Sequence, residues 1–116
     1  MTTNYVELHD HLDEGISKLM KELPGPVSGF SQLHRKAMED GVLNGKTKEL
    51  IALSVSIALR CEGCIAYHVY DAIKAGATRA EMVDAIGVAI LMGGAPAAVY
   101  ATYAMDAMEQ FSASQK

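Results

Sequence analysis

The sequence lacks a cluster of basic residues, although it contains ten lysines and arginines among its 116 residues. Acidic residues outnumber the basic ones, and the formal net charge is −4. Proteins that bind nucleic acid concentrate positive charge against the phosphate backbone. The scattered charge therefore predicts that nucleic acid is not a partner of this protein.

The N-terminal residues also lack the pattern that is typical of a targeting segment. Residues 1–7 contain no basic region followed by an apolar run, so we expect no signal peptide and a cytoplasmic location. The uncharged segment from Ala85 to Met105 is long enough to cross a bilayer. However, Gly93, Gly94 and Pro96 interrupt it near its middle, which favours two buried helices joined by a turn. We therefore predict no membrane partner.

No run of residues alternates strictly between apolar and polar, as a half-buried strand would. Half of the residues are apolar, which is enough for one core in a chain of this length. The prediction is an all-α, single-domain bundle of about six helices that spans residues 1–116. Residues 1–23 hold an N-terminal helix, residues 30–111 form the core, and residues 112–116 are a frayed tail.

Apolar residues at spacings of three and four predict the first helix over residues 4–22. The Pro-Gly-Pro segment at 24–26 ends this helix and begins a linker that reaches residue 29. A second helix is predicted from Phe30 to Asp40, with Leu33 on its apolar stripe and Gly41 as its C-terminal stop.

The third helix begins near Lys46 and is apolar on nearly every face, so we expect it to be central. A buried strand is the alternative for residues 50–59, because short apolar runs fit either structure. After a break at residues 62–63, a fourth helix runs from Cys64 to Ala75. The fifth begins with a capping box at residues 78–81, and Pro96 suits the start of the sixth. The inward-facing residues are predicted to be Met82, Val83, Ile86, Ile90 and Leu91 in the fifth helix, and Val99, Tyr103, Ala107 and Phe111 in the sixth.

The only two cysteines, Cys61 and Cys64, are spaced C-x-x-C. This spacing suits a reversible disulfide, two ligands of a zinc site, or two apolar residues that are near each other by chance. His68 would add a third zinc ligand, and Glu49 a fourth if the fold brought it near. The second C-x-x-C or histidine pair of a structural zinc site is missing.

His68 favours the redox interpretation. It follows Cys64 by four residues, so the two share one face of a helix, where an imidazole can take a thiol proton. Cys64 also falls in the first turn of the fourth helix, where free amides and the helix dipole favour a thiolate. A thiolate of this kind attacks peroxide oxygen to give a sulfenic acid, which condenses with a second cysteine to a disulfide.

Glu49 stands at the head of the third helix, where any carboxylate interacts favourably with the dipole. A continuous helix would place it about 18 Å from Cys61. A catalytic role therefore requires a bend, an antiparallel neighbour that carries His68 back towards Glu49, or a second subunit. The other three histidines fit packing or surface positions, and we predict no role for them.

The pattern Glu49-x11-Cys61-x2-Cys64-x3-His68, in an all-helical chain, resembles the alkylhydroperoxidase D-like branch of the carboxymuconolactone decarboxylase family. Residues 41–53, 76–82 and 92–97 are also similar to segments of that family, and the resemblance covers about residues 30–103. One departure is Gly63, since the best-known member has a histidine just before the second cysteine.

The resemblance implies a thiol-dependent peroxidase. Cys64 is then the peroxidatic thiolate that becomes a sulfenic acid, and Cys61 is the proton donor and resolving thiol. Glu49 and His68 form the proton relay. The substrate is a peroxide, and the reductant is a lipoyl-bearing adaptor or another thiol. We predict neither a cofactor nor a bound metal.

Two other functions remain open. One is a carboxymuconolactone decarboxylase-like enzyme with incidental thiols, although true decarboxylases of the family generally lack the cysteine pair. The other is a non-enzymatic redox or stress-responsive scaffold that the disulfide locks.

The third helix and the segment from Ala85 to Met105 offer more apolar surface than one small domain hides. We therefore predict a homo-oligomer, and the resemblance implies a hexamer (a trimer of dimers) or a trimer, with the cysteines near a subunit boundary.

Overall fold

A computed structural model of the protein describes residues 2–114, and all of its regular structure is helical. The helices are α1 (Tyr5–Glu22), α2 (Pro24–Met38), α3 (Gly45–Ala58), α4 (Glu62–Lys74), α5 (Arg79–Gly93) and α6 (Ala95–Ser114). No strand occurs within residues 2–114, so the all-α prediction is confirmed and the strand alternative for residues 50–59 is wrong.

Helix α3 lies at the centre of the bundle, where it packs on α4, α5 and α6 and touches α2. Leu53 and Ile57 of α3 are fully buried in one core with Ile65 and Val69 of α4. Helix α6 contributes mainly small residues to this core. Its buried side chains are Ala97, Ala101, Ala104, Ala107, Met108 and Phe111.

The predicted linker at residues 24–29 is wrong, because α2 begins at Pro24. The first amides of a helix have no intrahelical partner, so the missing N–H groups of Pro24 and Pro26 cost no hydrogen bond. The first i to i−4 hydrogen bond of α2 is donated by the Val27 amide to the Leu23 carbonyl, at 3.3 Å. Prolines that indicated a linker therefore start a helix.

The C-terminal end of α2 also differs from the prediction. The helix ends at Met38, before the expected stop at Gly41. The Lys48 ammonium, on α3, donates to the backbone carbonyls of Ala37 and Glu39. These carbonyls are among those that a helix end leaves without partners. A lysine from the next helix thus does what the glycine was expected to do.

The turn between α3 and α4 lies at residues 59–61, earlier than the predicted break at residues 62–63. The Cys61 amide donates to the Ser56 carbonyl and the Arg60 amide to the Ile57 carbonyl, which is the Schellman pattern of a helix end. Arg60 occupies the left-handed position with φ of 59°, where glycine is usual. That conformation costs a residue with a side chain about 1–2 kcal/mol. Gly76 ends α4 in the same way, with φ of 90°.

The capping box at residues 78–81 is confirmed by two hydrogen bonds, from the Glu81 amide to the Thr78 hydroxyl and from the Thr78 amide to the Glu81 carboxylate.

Several residues that were predicted to face the core are exposed in the single chain. Met82, Ile86, Ala107 and Phe111 are buried as expected and Tyr103 is partly buried, whereas the exposed residues include Phe30, Leu33, Val83, Ile90, Leu91 and Val99.

Residues 112–114, predicted to fray, continue α6 to Ser114, and residues 115–116 lie outside the described part of the chain. The uncharged segment from Ala85 to Met105 is divided between α5 and α6, with Gly94 between them at φ of 69°. None of the helices within residues 2–114 is both long enough and apolar enough to cross a membrane.

Candidate redox site

The cysteine pair lies at the start of α4, where Cys61 is the N-cap residue and Cys64 belongs to the first turn. The two sulfurs are joined in a disulfide. The Cys64 amide also donates to the Cys61 sulfur at 3.2 Å. Sulfur therefore takes the place of the usual N-cap oxygen. Free amides and the positive end of the helix dipole surround the pair, and both favour a negative sulfur after reduction.

Glu49 and His68 form a hydrogen-bonded pair between α3 and α4. The Glu49 Oε1 and His68 Nδ1 atoms are 2.8 Å apart. Because the carboxylate can only accept, the imidazole donates its Nδ1–H, and its Nε2 is left as the basic nitrogen. Glu49 is 8% exposed, so the pair is largely shielded from water.

The short turn at Arg60 explains how two residues separated by 19 positions can meet. It folds α3 and α4 into a hairpin, in which Glu49 and His68 meet across the two helices. Of the three ways in which we expected Glu49 to reach the site, the structure has the antiparallel neighbour. The pair forms within one chain, and His68 follows Cys64 by about one turn of the same helix.

Asp71 is a member of this cluster that our sequence analysis did not identify. One carboxylate oxygen of Asp71, one of Glu49 and one ring nitrogen of His68 all lie within 4.8 Å of one another. Burial, followed by the charge of Glu49, raises the pKa of Asp71 above its usual value. The spacing of three residues from His68 on one helix was the available signal, since such residues share a face.

These three groups have the chemistry of metal ligands as well as of a proton relay. Glu49, His68 and Asp71 could offer two oxygens and one nitrogen to a cation. The zinc hypothesis drawn from the sequence used Cys61 and Cys64 instead. In this structure those two sulfurs bond to each other, so they are not available as thiolate ligands.

His34 of α2 also approaches the cluster, which no spacing in the sequence could have shown. Its ring centre is 6.2 Å from that of His68, and the rings are inclined by 34°. Phe30 and Leu33, on the same helix, are 66% and 62% exposed. Helix α2 therefore brings one imidazole to the site and leaves its apolar side chains uncovered.

The N-terminal segment fastens the start of α4. The Tyr5 hydroxyl and the Thr3 hydroxyl donate to Glu62 Oε2 at 2.6 and 3.1 Å. Burial and the Glu62 carboxylate raise the pKa of Tyr5 well above its usual value, so its hydroxyl remains a donor. Glu62 directly follows Cys61, so these bonds fix the backbone beside the disulfide.

Gly63 allows α1 to approach the cysteine pair closely. A Cβ atom at this position would lie 3.0 Å from Leu12 Cδ1, closer than ordinary van der Waals contact. A side chain at this position would therefore require Leu12 to shift. The departure from the family pattern is thus connected to the way in which α1 covers the site.

His9 packs among aromatic rings, which is one of the two kinds of position, packing or surface, that the sequence predicted for it. Its ring lies among those of Tyr67, Tyr70 and Phe111, with centre-to-centre distances of 4.8, 4.5 and 5.7 Å. Asp13 accepts a hydrogen bond from the Tyr67 hydroxyl at 2.7 Å. This aromatic cluster joins α1 to α4 and α6 on the side of α4 that faces the N-terminal helix.

Comparison with known proteins gives the family. The model of the carboxymuconolactone decarboxylase family matches residues 24–107. The chain belongs to this family. The resemblance that the spacing of Glu49, Cys61, Cys64 and His68 indicated is thereby confirmed at the level of the family.

Similar proteins extend over nearly the whole chain. An uncharacterized protein of Cupriavidus necator is 29% identical over 113 residues, which cover 97% of this chain and 100% of that protein. The crystal structure of an apo carboxymuconolactone decarboxylase family protein from Legionella pneumophila is 39% identical, with a TM-score of 0.91 over 96% of this chain and 99% of that one.

A second solved member of the family comes from Thermotoga maritima. It is 27% identical to this chain, with a TM-score of 0.80 over 97% of this chain and 93% of that one. A role in the antioxidative response has been suggested for that protein. The carboxymuconolactone decarboxylase fold is therefore shared over almost the full length of both solved relatives.

An open apolar groove of about 500 Å³ runs between α3 and α5. Its lining includes Ile51, Val55, Leu59, Val88 and Met92, but neither cysteine and none of the Glu49–His68–Asp71 cluster. We therefore do not assign the groove to a substrate.

Proposed function

We propose that this family member is a thiol-dependent peroxidase that reduces a peroxide through Cys64 and Cys61. The observation that carries the proposal is the Cys61–Cys64 disulfide at the start of α4, one helical turn before a histidine that is bonded to a buried glutamate. A disulfide in a C-x-x-C segment at a helix N-terminus is a common arrangement for reversible thiol chemistry.

The proposed cycle balances with one peroxide and one dithiol. The Cys64 thiolate attacks one peroxide oxygen, the O–O bond breaks, and an alcohol or water leaves after taking up a proton. Cys64 is then a sulfenic acid. The Cys61 thiol attacks the Cys64 sulfur, which forms the disulfide and releases water. A dithiol of the lipoyl type, or another thiol reductant, returns two electrons and two protons by disulfide exchange.

The Glu49–His68 pair supports this chemistry as the proton relay. The His68 Nε2 can accept the thiol proton because the bond to Glu49 occupies Nδ1. The imidazolium that results lies against the Glu49 carboxylate, which stabilises it. His68 can later return the proton to the leaving oxygen.

The proposal is tested by titrating the reduced wild-type protein with hydrogen peroxide and following each cysteine by mass spectrometry. We expect about one equivalent of peroxide to convert both thiols to the Cys61–Cys64 disulfide, as the balance above requires. Metal analysis of the same sample checks the zinc hypothesis. The proposal would be contradicted if the thiols did not react with hydrogen peroxide, or if they reacted only after stoichiometric zinc had been removed.

We further propose that the protein is a homo-oligomer, most simply a hexamer built as a trimer of dimers, or a trimer. Its support is the apolar surface that one chain leaves exposed on α2 and along α3 and α5, since large exposed apolar patches are uncommon on monomers. Closed symmetric assemblies of identical chains are the usual way to cover such faces.

Light scattering at low micromolar concentration tests the assembly. We expect a mass three or six times the 12.4 kDa of one chain. Substitution of Val55 by aspartate places a charge on the exposed face of α3, and it should lower that mass if this face is the interface. A mass near 12 kDa for the wild type would end the proposal.

A further inference from the structure

Asp71 is a partly buried acid that the thiol cycle described above does not use. It lies on α4, and groups on three other helices face it. Its surroundings are Glu49 from α3, His68 on its own helix, His34 from α2 and His9 from α1. The Glu49 charge raises its pKa after burial does, and the three histidines act in the opposite direction.

Among the described residues, no lysine or arginine forms an ion pair with Asp71. The cation nearest along its helix, Lys74, lies instead over the Tyr70 ring, with its nitrogen 5.4 Å from the ring centre. The side chain of Asp71 also has no hydrogen-bond partner among residues 2–114. One oxygen of its carboxylate lies within 4.8 Å of a Glu49 carboxylate oxygen and of a His68 ring nitrogen. The charge of Asp71 therefore acts mainly on the Glu49–His68 pair.

We propose that Asp71 is a positioning residue of the proton relay, whose carboxylate keeps the transferred proton on His68 and thereby favours the Cys64 thiolate. The inference rests on the proposed peroxidase function. Asp71 need not touch the peroxide or either sulfur, because it acts through His68.

The physical argument is the charge of the site before and after proton transfer. When Cys64 gives its proton to His68, an imidazolium forms beside Glu49 and Asp71. Two carboxylates within 4.8 Å attract that cation more strongly than Glu49 alone, because each adds a negative charge. The attraction is not weakened as it would be in water, because the Glu49–His68 pair is largely shielded from solvent. The reverse transfer, which would regenerate the unreactive thiol, is therefore disfavoured.

The same geometry gives the effect a pH limit. Asp71 helps His68 only while it is ionised, and its raised pKa means that it takes up a proton at a higher pH than an exposed aspartate does. As the pH falls through that raised pKa, its support for the imidazolium disappears. Below that pKa the imidazolium and the thiolate keep only the support of Glu49, so the wild type should approach the behaviour of a protein that lacks the Asp71 carboxylate.

The test compares Asp71→Asn and Asp71→Glu with a matched control, Asp84→Asn, which removes an exposed acid from α5. The readout is the pH dependence of the alkylation of Cys64 by iodoacetamide in the reduced proteins. We expect Asp71→Asn to move the midpoint to higher pH by about one unit, which is a tenfold slower reaction below the midpoint. In Asp71→Glu the midpoint should return most of the way to its wild-type value, because a carboxylate is again present. Asp84→Asn should have the wild-type midpoint.

A second measurement uses the disulfide form, in which no thiol titrates. The carboxyl carbon of Asp71 is followed by NMR as the pH changes, in the wild type and in Glu49→Gln. Removal of the Glu49 charge should lower the pKa of Asp71, because that charge is one of the two causes that raise it. An unchanged Asp71 titration in Glu49→Gln, or an alkylation profile in Asp71→Asn that coincides with the wild type, overturns the inference.

Neither measurement uses peroxide, so the inference and the proposed function fail separately. If the wild-type protein does not consume peroxide but the alkylation midpoint shifts as expected, the peroxidase proposal fails and the control of Cys64 by Asp71 stands. If Asp71→Asn only unfolds more easily, with no shift of the midpoint, Asp71 has a structural role and the inference is wrong.

Discussion

Substitution of Cys64 by serine is expected to abolish peroxide consumption, with a loss limited only by the background of the assay. A serine hydroxyl is not ionised at neutral pH, so no nucleophile is left at the first turn of α4 to attack the peroxide oxygen. The backbone amide of residue 64 can still donate a hydrogen bond to the Cys61 sulfur, so the start of α4 should remain folded in this variant. The measurement is peroxide consumption with a thiol reductant in excess.

Substitution of Cys61 by serine separates the two sulfur roles. Cys64 should still be oxidised, but the sulfenic acid has no thiol within the chain to condense with, because the protein has only two cysteines. A sulfenic acid-specific reagent should therefore label Cys64 in this variant and should label neither cysteine in the wild type. If the reagent instead labels Cys61 in the Cys64→Ser protein, the assignment is reversed.

Substitution of Glu49 by glutamine should lower the rate of peroxide consumption by about 100-fold, the smaller end of what general acid–base groups contribute. The glutamine amide can still bond to His68 Nδ1, so the hairpin of α3 and α4 should remain intact. It cannot stabilise the imidazolium with a negative charge. The loss should therefore appear in the chemical step and leave the circular dichroism spectrum unchanged.

The control for this variant is Glu22→Gln, which removes an exposed glutamate from the end of α1. It should keep the wild-type rate. Partial recovery of Glu49→Gln at higher pH is also expected, because the thiolate then forms without help from the pair. A Glu49→Gln protein that reacts at the wild-type rate throughout the pH range would exclude Glu49 from the relay.

The local features of the site were predictable from the sequence because their causes are local. The C-x-x-C spacing places two sulfurs in one helical turn, and the four residues from Cys64 to His68 place the imidazole on the same face. The capping box at residues 78–81 is similarly a pattern of neighbours, and the structure has both of its hydrogen bonds.

The boundaries of α2 were not predictable in the same way. Proline at 24 and 26 is compatible with a linker or with the first turn of a helix, and only the packing of α2 on α1 and α3 decides between them. The end of α2 depends on Lys48, ten residues further along the chain than the end of the helix, whose ammonium reaches the last carbonyls.

The sequence by itself determined the helical class and the C-x-x-C pair, since these follow from periodicity and close spacing, and its resemblance to known proteins indicated the family. Only the tertiary structure decided that Glu49 meets His68, because that contact depends on the direction in which the turn at Arg60 sends α4 back along α3. It also decided that Asp71 joins them, since a residue on the right face of a helix is a neighbour only if the opposing helix presents a partner there.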